Sequence, residues 1–469
     1  YFKEFTQFIN RFPVILSSTY AIVNSVPKGF LFDYLIIDES SQVDLITGLL
    51  VFSCCKNVII VWDTKQLPHI TNGKNPDDFN LDTCFDYYKH SILSSVLDSY
   101  KENIPVTLLK EHYRCHPKII NFCNQKYYNW ELIVYTTENS SDSPLTIYRS
   151  AKWNHMRDIQ NWETNWKYNQ RELDIIESIL EGKEDWGNDF ENIWIITPFR
   201  KQVEKADEKF KKNIEVDTVH KFQWREKDTI IISTVLDNTK AWNIAIKFAD
   251  QPSLINVAVS RAKNRLLIVT DNELFFKKWK EIKDLVKYVE YSSLDENIIE
   301  SDIVGVFDLL YRNYSDKIGL NNNSIISVSK FRSEDILNAL IKQVLDDEKF
   351  NNLSFTREVY LKNIISDTNK LNDIEKKFIN TTSRVDFLVY SNFWKTPLLV
   401  IEVDWVAFHE NNPEQIQRDQ KKNSILDKYW IPFIRLKTNW SWEDKKIYSK
   451  LLSIVDYEQS DMKNDWIII

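Results

Sequence analysis

An apolar run that ends in two carboxylates is the first place where residue types in this sequence imply chemistry. Residues 33–42 read Asp-Tyr-Leu-Ile-Ile-Asp-Glu-Ser-Ser-Gln. In a nucleotide-hydrolysis site the first of such a pair, Asp38, holds Mg²⁺ and the second, Glu39, polarises the attacking water. The plainer reading is a strand followed by the acidic start of a helix. A second carboxylate set lies far along the chain. Asp386 stands in Arg-Val-Asp-Phe-Leu-Val-Tyr (384–390), and Glu402 and Asp404 stand in Leu-Leu-Val-Ile-Glu-Val-Asp (398–404), with His409 just beyond. Two such carboxylates on neighbouring strands can share one Mg²⁺, which binds a scissile phosphate and generates hydroxide. Strand alternation puts Glu402 and Asp404 on one face and Val403 on the other. An antiparallel hairpin would set Asp386 opposite the pair.

The elements that must position these groups are legible as short β-branched runs. Residues 31–38, 57–63, 192–197, 229–235 and 265–271 read as buried strands of a parallel sheet. Helical patterns at 170–181 and 199–212 separate some of them, so the expected class is layered α/β. In such sheets ligands sit past the carboxyl ends of the strands, where Asp38, Asp63 and Asp271 fall. From about residue 275 the texture changes to a Lys-rich helical stretch and then an acidic, polar one. Beyond it we expect a helix at 332–347, an extended segment at 355–365, strands at 384–390, 397–404 and 431–436, and a helix at 413–428.

Four more blocks follow the Asp38-Glu39 strand in order. They are Val-Trp-Asp-Thr-Lys-Gln-Leu-Pro (61–68), Leu-Lys-Glu-His-Tyr-Arg-Cys-His-Pro-Lys-Ile-Ile-Asn-Phe (109–122), Val-Asp-Thr-Val-His-Lys-Phe-Gln-Trp-Arg-Glu-Lys-Asp (216–228) and Ile-Asn-Val-Ala-Val-Ser-Arg-Ala-Lys (255–263). Together the five blocks resemble the later motifs of superfamily 1 helicases, in the branch typified by the nonsense-mediated-decay helicase, over roughly residues 10–275. The resemblance implies RecA-like parallel-sheet domains and ATP with Mg²⁺ as cofactors. It assigns Asp38 and Glu39 to the Walker B pair and Gln66 to γ-phosphate sensing. Arg114 and Arg261 become the two arginines that clamp the γ-phosphate, and Glu226 the ribose contact. Ser18, Thr19, Thr218 and His220 fall in segments that track the nucleic-acid backbone. The same motif accounts for His112, Cys115 and His116, whose spacing otherwise permits a metal site.

The C-terminal carboxylates resemble a restriction-endonuclease-like core of the PD-(D/E)XK group, in the Glu-x-Asp variant related to very-short-patch-repair endonucleases. Asp386 and Glu402 match its metal carboxylates, and Glu334 matches the acidic residue of its first helix. Asp404 takes the place of the usual Lys, and Lys422 on the following helix can supply that cation. His409 is assigned proton transfer or a phosphate contact. An inactive fold that only binds nucleic acid is the alternative. The expected domains are 1–80, the C-terminal part of a first RecA-like domain; 81–290, a second; 291–330, a linker; and 331–469, the nuclease-like unit. The function implied is an ATP-dependent helicase or translocase coupled to a metal-dependent nuclease, in repair or in defence against foreign nucleic acid. The alternative is a remodelling ATPase whose C-terminal domain only binds. The partner is single-stranded or duplex nucleic acid, with DNA favoured over RNA.

Composition agrees with packed domains. The chain has 469 residues, 43% of them hydrophobic, which excludes disordered and fibrous classes. No apolar run reaches the roughly 18 residues of a membrane span. The net charge of −8 gives no global basic signature, so any strand must be gripped locally. Five Cys without repeated spacing point to reduced thiols and a cytoplasmic protein. Nothing in residues 1–32 resembles the Gly-rich phosphate loop with its Lys. The chain therefore reads as a fragment that should bind ATP poorly by itself.

One count is abnormal: 7 Gly against 16 Trp, where average usage would give about 33 Gly. Trp62, Trp194, Trp224, Trp405 and Trp430 stand where the resembled motifs carry Gly. UGA codons read as Gly in the cell but written as Trp would explain all five; drift in a decaying gene is the alternative.

Overall fold

The computed structural model describes residues 4–68, 84–138, 143–151, 156–161, 164–182, 190–210, 214–222, 226–237, 247–271, 280–293, 297–301, 303, 305, 332–381, 383–404, 413–438 and 441–465. The first unit is built on a parallel pair, β1 (Phe32–Ile37) and β2 (Cys55–Ile60), connected through α1 (Leu45–Phe52). Asp44 caps α1 by accepting from the Thr47 amide at 2.9 Å. The helix Ile92–Tyr100 lies against α1, with Ile92 filling the space a Cβ on Gly48 would need. The first unit therefore takes in residues 92–100, past the expected boundary at residue 80, because a helix with no signature of its own returns to pack on it.

The second unit contains a six-stranded, all-parallel sheet. Its strands are β3 (Leu145–Arg149), β4 (Ile193–Thr197), β5 (Glu215–Thr218), β6 (Lys227–Ser233), β7 (Ala262–Thr270) and β8 (Ile298–Glu300), in the order β8-β3-β7-β6-β4-β5. The helices α2 (Pro117–Tyr127), α3 (Gln170–Glu181), α4 (Arg200–Phe210), α5 (Pro252–Ser260) and α6 (Glu281–Ser293) belong to this unit. Side chains such as Ile147, Ile230 and Ile268 are fully buried and pack one face, while Ile195, Ile231 and Leu267 pack the other. Burial on both faces is why these strands read as continuous apolar runs. The helices at 170–181 and 200–210 match expectation closely. β3, β5 and β8 are additions, and β8 lies inside the stretch expected as linker: it joins the sheet through its backbone, beside β3, with no apolar run to announce it.

Buried polar groups finish the carboxyl end of β6. Glu172, at the start of α3, accepts from Ser233 Oγ at 2.6 Å and from the Val235 amide at 2.9 and 3.0 Å. These bonds hold Val235 at a φ of 69°, and burial pushes the Glu172 carboxyl up to about 8.

The C-terminal unit is a four-stranded sheet, β9 (Leu353–Tyr360), β10 (Arg384–Ser391), β11 (Pro397–Asp404) and β12 (Phe433–Lys437), in sequence order. The first two pairings are antiparallel and the last is parallel. α7 (Arg332–Leu345), α8 (Pro413–Lys428) and α9 (Glu443–Asp465) complete the unit, with Phe387, Ile401 and Leu451 in its core. The expected antiparallel hairpin is present: Phe387 pairs with Ile401 and Val389 with Leu399. The unit is tied to the preceding one by Ser441 Oγ, which donates to Asp174 Oδ2 of α3 at 2.6 Å, both residues being buried.

Candidate functional sites

The first site forms where the two sheet units face each other. Asp38 follows directly on β1, and Glu39 adopts a left-handed φ of 51° as the chain turns into a 3₁₀ turn at Ser40–Gln42. The Glu39 amide donates to Asp38 Oδ1 at 3.0 Å. After β2 comes the 61–68 block, in which Gln66 Nε2 donates to Asp63 Oδ2 at 3.1 Å. From the opposing unit, Arg261, at the C-terminal cap of α5, donates through NH2 to Gln66 Oε1 at 3.1 Å. Arg114, just ahead of α2, pairs through Nε with Glu226, which also holds Lys263 at 2.7 Å. Asp63, Gln66, Arg114, Glu226 and Lys263 line an open cleft of about 1540 Å³, and Arg261 stands behind its Gln66 wall.

The electrostatics of this cleft are unbalanced in a specific way. Arg261 is buried, only 4% exposed, and its Nε has no hydrogen-bond partner among the described residues. Burial and the neighbouring Arg114 cation lower its affinity for its proton, opposed by Glu39 and Glu226. Burial raises the Glu39 carboxyl; Arg261 opposes that shift, and Asp38 and Asp63 add to it. Two guanidinium groups with a donor to spare, facing carboxylates able to hold a cation, suit a Mg²⁺–polyphosphate. Asp38 would hold the metal there.

Thr218 ends β5 and His220 lies in the 3₁₀ turn after it, its ring near that of Phe248 with centroids 6.4 Å apart. Ser18 caps a helix at Thr19–Ser25, accepting from the Ala21 amide at 3.3 Å, and is exposed. His112, Cys115 and His116 have structural work: His112 Nε2 accepts from the Cys115 amide at 2.9 Å, Cys115 Sγ donates to Ser260 O, and His116 Nδ1 accepts from the Lys118 amide. Burial holds His112 down to about 4, so its ring stays neutral and able to accept.

The second site lies at the end of the β10–β11 hairpin. Asp386 Oδ2 accepts from the Val403 amide at 2.8 Å, so its carboxyl sits beside the Glu402–Asp404 segment and not in the core. Glu402 is buried, and Lys422 of α8 donates to both its oxygens, at 2.9 and 2.7 Å. Arg435 of β12 donates to Asp404 at 2.8 Å, lies 3.4 Å from Asp419 and is 4.0 Å from Glu402. Burial pushes the Glu402 carboxyl up to about 7, with Lys422 opposing and Asp386 adding to the shift. Four carboxylates against two cations leave a formal charge of −2, which a divalent ion would neutralise. Among the described residues, however, no three His, Cys, Asp or Glu side chains converge as metal ligands, and Lys422 and Arg435 engage the carboxylates. Glu334 is seen in an ion pair with Arg357 of β9 at 3.7 Å. His409, Trp224 and Trp405 lie outside the described residues.

Comparisons with known proteins bear on each part separately. Residues 88–273 match an AAA domain family, and residues 331–454 match a family described as a protein of unknown function, DUF2726. The DNA polymerase alpha-associated DNA helicase A of Saccharomyces cerevisiae is 26% identical over 309 residues, 58% of this chain and 44% of that protein. The probable helicase senataxin of Homo sapiens is 27% identical over 55% of this chain and 10% of its own length. The DNA replication ATP-dependent helicase/nuclease dna2 of Schizosaccharomyces pombe is 24% identical over 68% of this chain and 24% of its own. The chain thus spans less than half the length of these relatives. Among solved structures, an arterivirus nonstructural protein 10 helicase with DNA aligns at a TM-score of 0.28 and 11% identity, over 53% of this chain and 41% of that one. The part of the chain that carries the first site is similar in sequence to these helicases.

Proposed function

We propose that this chain is the ATP-hydrolysing, strand-gripping part of a nucleic-acid helicase, joined to a metal-dependent nuclease. The observation that carries the motor reading is Arg261: a buried guanidinium whose Nε has no partner among the described residues, beside a second arginine and facing Glu39 and Gln66. A γ-phosphate satisfies that arrangement. Arg261 and Arg114 draw charge off it as it leaves, and Gln66, bonded to Arg261, reports its presence to the first unit. Glu39 orients the attacking water once its raised carboxyl is ionised. Asp38 would hold Mg²⁺, which would neutralise phosphate charge. Thr218 and His220 line the strand path, and Glu226 accepts from the ribose.

The nuclease reading is supported by the net-negative pocket of Asp386, Glu402, Asp404 and Asp419 against Lys422 and Arg435. Asp386, Glu402 and Asp404 would hold one divalent ion once it displaced part of the Lys422 and Arg435 pairing, and the ion would supply Lewis-acid activation of water. Lys422, already on Glu402, would neutralise the cleaved phosphate. The second reading, a C-terminal domain that binds without cutting, is favoured by the way Lys422 and Arg435 already engage the carboxylates.

With this chain joined to a phosphate-loop segment, Arg261→Ala should reduce strand-stimulated ATP turnover by about 10³-fold, the scale of losing an arginine finger. Turnover within a few-fold of the parent would sink the motor assignment. For the second site, Mn²⁺ binding followed by calorimetry should tighten as pH rises towards about 7 and level off above it, because protons compete for Glu402 until its carboxyl ionises. Asp386→Ala should abolish both that binding and Mg²⁺-dependent cleavage of a nucleic-acid substrate. Binding of a strand without any cleavage by the parent protein would select the second reading.

A further inference from the structure

We propose that Tyr128 and Asn256 are a positioning pair that holds the 63–66 loop across the cleft and sets the rate of ATP hydrolysis; this rests on the motor reading above. Tyr128 caps α2 and Asn256 is buried in α5, both on the second unit, whereas the loop belongs to the first. The Tyr128 hydroxyl donates to Asp63 Oδ2 at 2.5 Å and accepts from Asn256 Nδ2 at 2.9 Å. The same Asn256 nitrogen donates to the Lys65 carbonyl at 3.0 Å. Asp63 Oδ2 also accepts from Gln66, whose other end accepts from Arg261. The chain Asn256–Tyr128–Asp63–Gln66–Arg261 therefore begins and ends on one helix and its cap. A loop pinned at two points to a rigid element keeps its side chains in one geometry. Burial beside the Asp63 carboxylate raises the Tyr128 phenol, so it stays protonated and keeps donating. Tyr128 and Asn256 act through Gln66.

The test is Tyr128→Phe in the phosphate-loop-bearing protein, which deletes one hydroxyl and keeps the ring. We expect kcat to fall on the order of tenfold with KM for ATP unchanged, since only the positioning of Gln66 is lost. A parent that hydrolyses ATP, with a variant whose kcat is unchanged, or with a loss confined to KM, overturns the pair's role. A parent without any strand-stimulated turnover removes the motor reading instead, and this inference with it.

A separate observation carries a second inference. Among the described residues, nine other than Gly adopt a left-handed φ, and three of them are Trp: Trp130 (63°), Trp430 (57°) and Trp442 (58°). Seven of the sixteen Trp are described, so nearly half of those sit in a conformation that only a few per cent of non-Gly residues adopt. Two of the three end helices. The Trp130 amide donates to Asn124 O at 3.0 Å past α2; the Trp430 amide donates to Asp427 O and the Ile431 amide to Leu426 O, each at 3.1 Å, past α8. Glycine terminates helices in this way because it has no Cβ to clash. Both indoles are exposed, at 60% and 86%, so no packing offsets the strain. Trp194 differs: it is buried in β4 and its Nε1 donates to Glu215 at 2.6 Å, so nothing in its geometry calls for Gly.

We infer that the natural polypeptide carries Gly at positions 130 and 430; Trp442 shares the left-handed φ but packs against the apolar core. Peptide masses of the protein isolated from the cells that encode it decide the matter. Gly at these two positions is the expected result. Trp at them would overturn the inference.

Discussion

A buried positive charge organises the first site. Arg261 is taken out of water by α5 and the sheet behind it, next to a second guanidinium, and such a charge must find compensation nearby. Part of it comes from Gln66 and from the carboxylates across the cleft. The unpartnered Nε is the part left over. The two sheet units meet at this point, so whatever satisfies Arg261 also fixes how the units sit. Asp63 is the hinge of that arrangement, because it accepts from Gln66 on its own loop and from Tyr128 on the opposing unit.

The C-terminal pocket solves the opposite problem. Its carboxylates crowd at one end of a hairpin, and Lys422 and Arg435 arrive from the next helix and strand to relieve the repulsion. Glu402 is the most deeply held, with two bonds from Lys422 and a carboxyl raised by burial. A metal entering this pocket would have to displace part of that pairing, so metal affinity and the strength of the Lys422–Glu402 contact are linked. The buried Ser441–Asp174 bond connects this unit to α3, the helix whose Glu172 braces the end of β6.

Much of this was readable from residues alone. β-branched runs ending in acid place Asp38 and Asp63 at strand ends, and period-2 alternation places Asp386, Glu402 and Asp404 together, because both patterns are local. The helices at 170–181, 332–345 and 413–428 follow from spacing in the same way. What escaped reading depends on partners distant in sequence. β8 joins the sheet by backbone pairing, without an apolar run. Helix 92–100 declares its unit only through the Gly48–Ile92 contact. Tyr128 and Asn256 look like core residues until the opposing loop is in place. Glu334, on the first C-terminal helix, pairs with Arg357 on β9, a contact that no local pattern announces. Left-handed φ at Trp130 and Trp442 has no signal in the residue type, since Trp disfavours it.

A polyphosphate would complete a charge network spanning both units. Hydrogen–deuterium exchange of the phosphate-loop-bearing protein, with and without a non-hydrolysable ATP analogue, reads this out. Amides of residues 63–66 and of 256–261 should gain protection together when the analogue binds. Protection confined to one of the two segments, or absent from both while the analogue is bound, would contradict it.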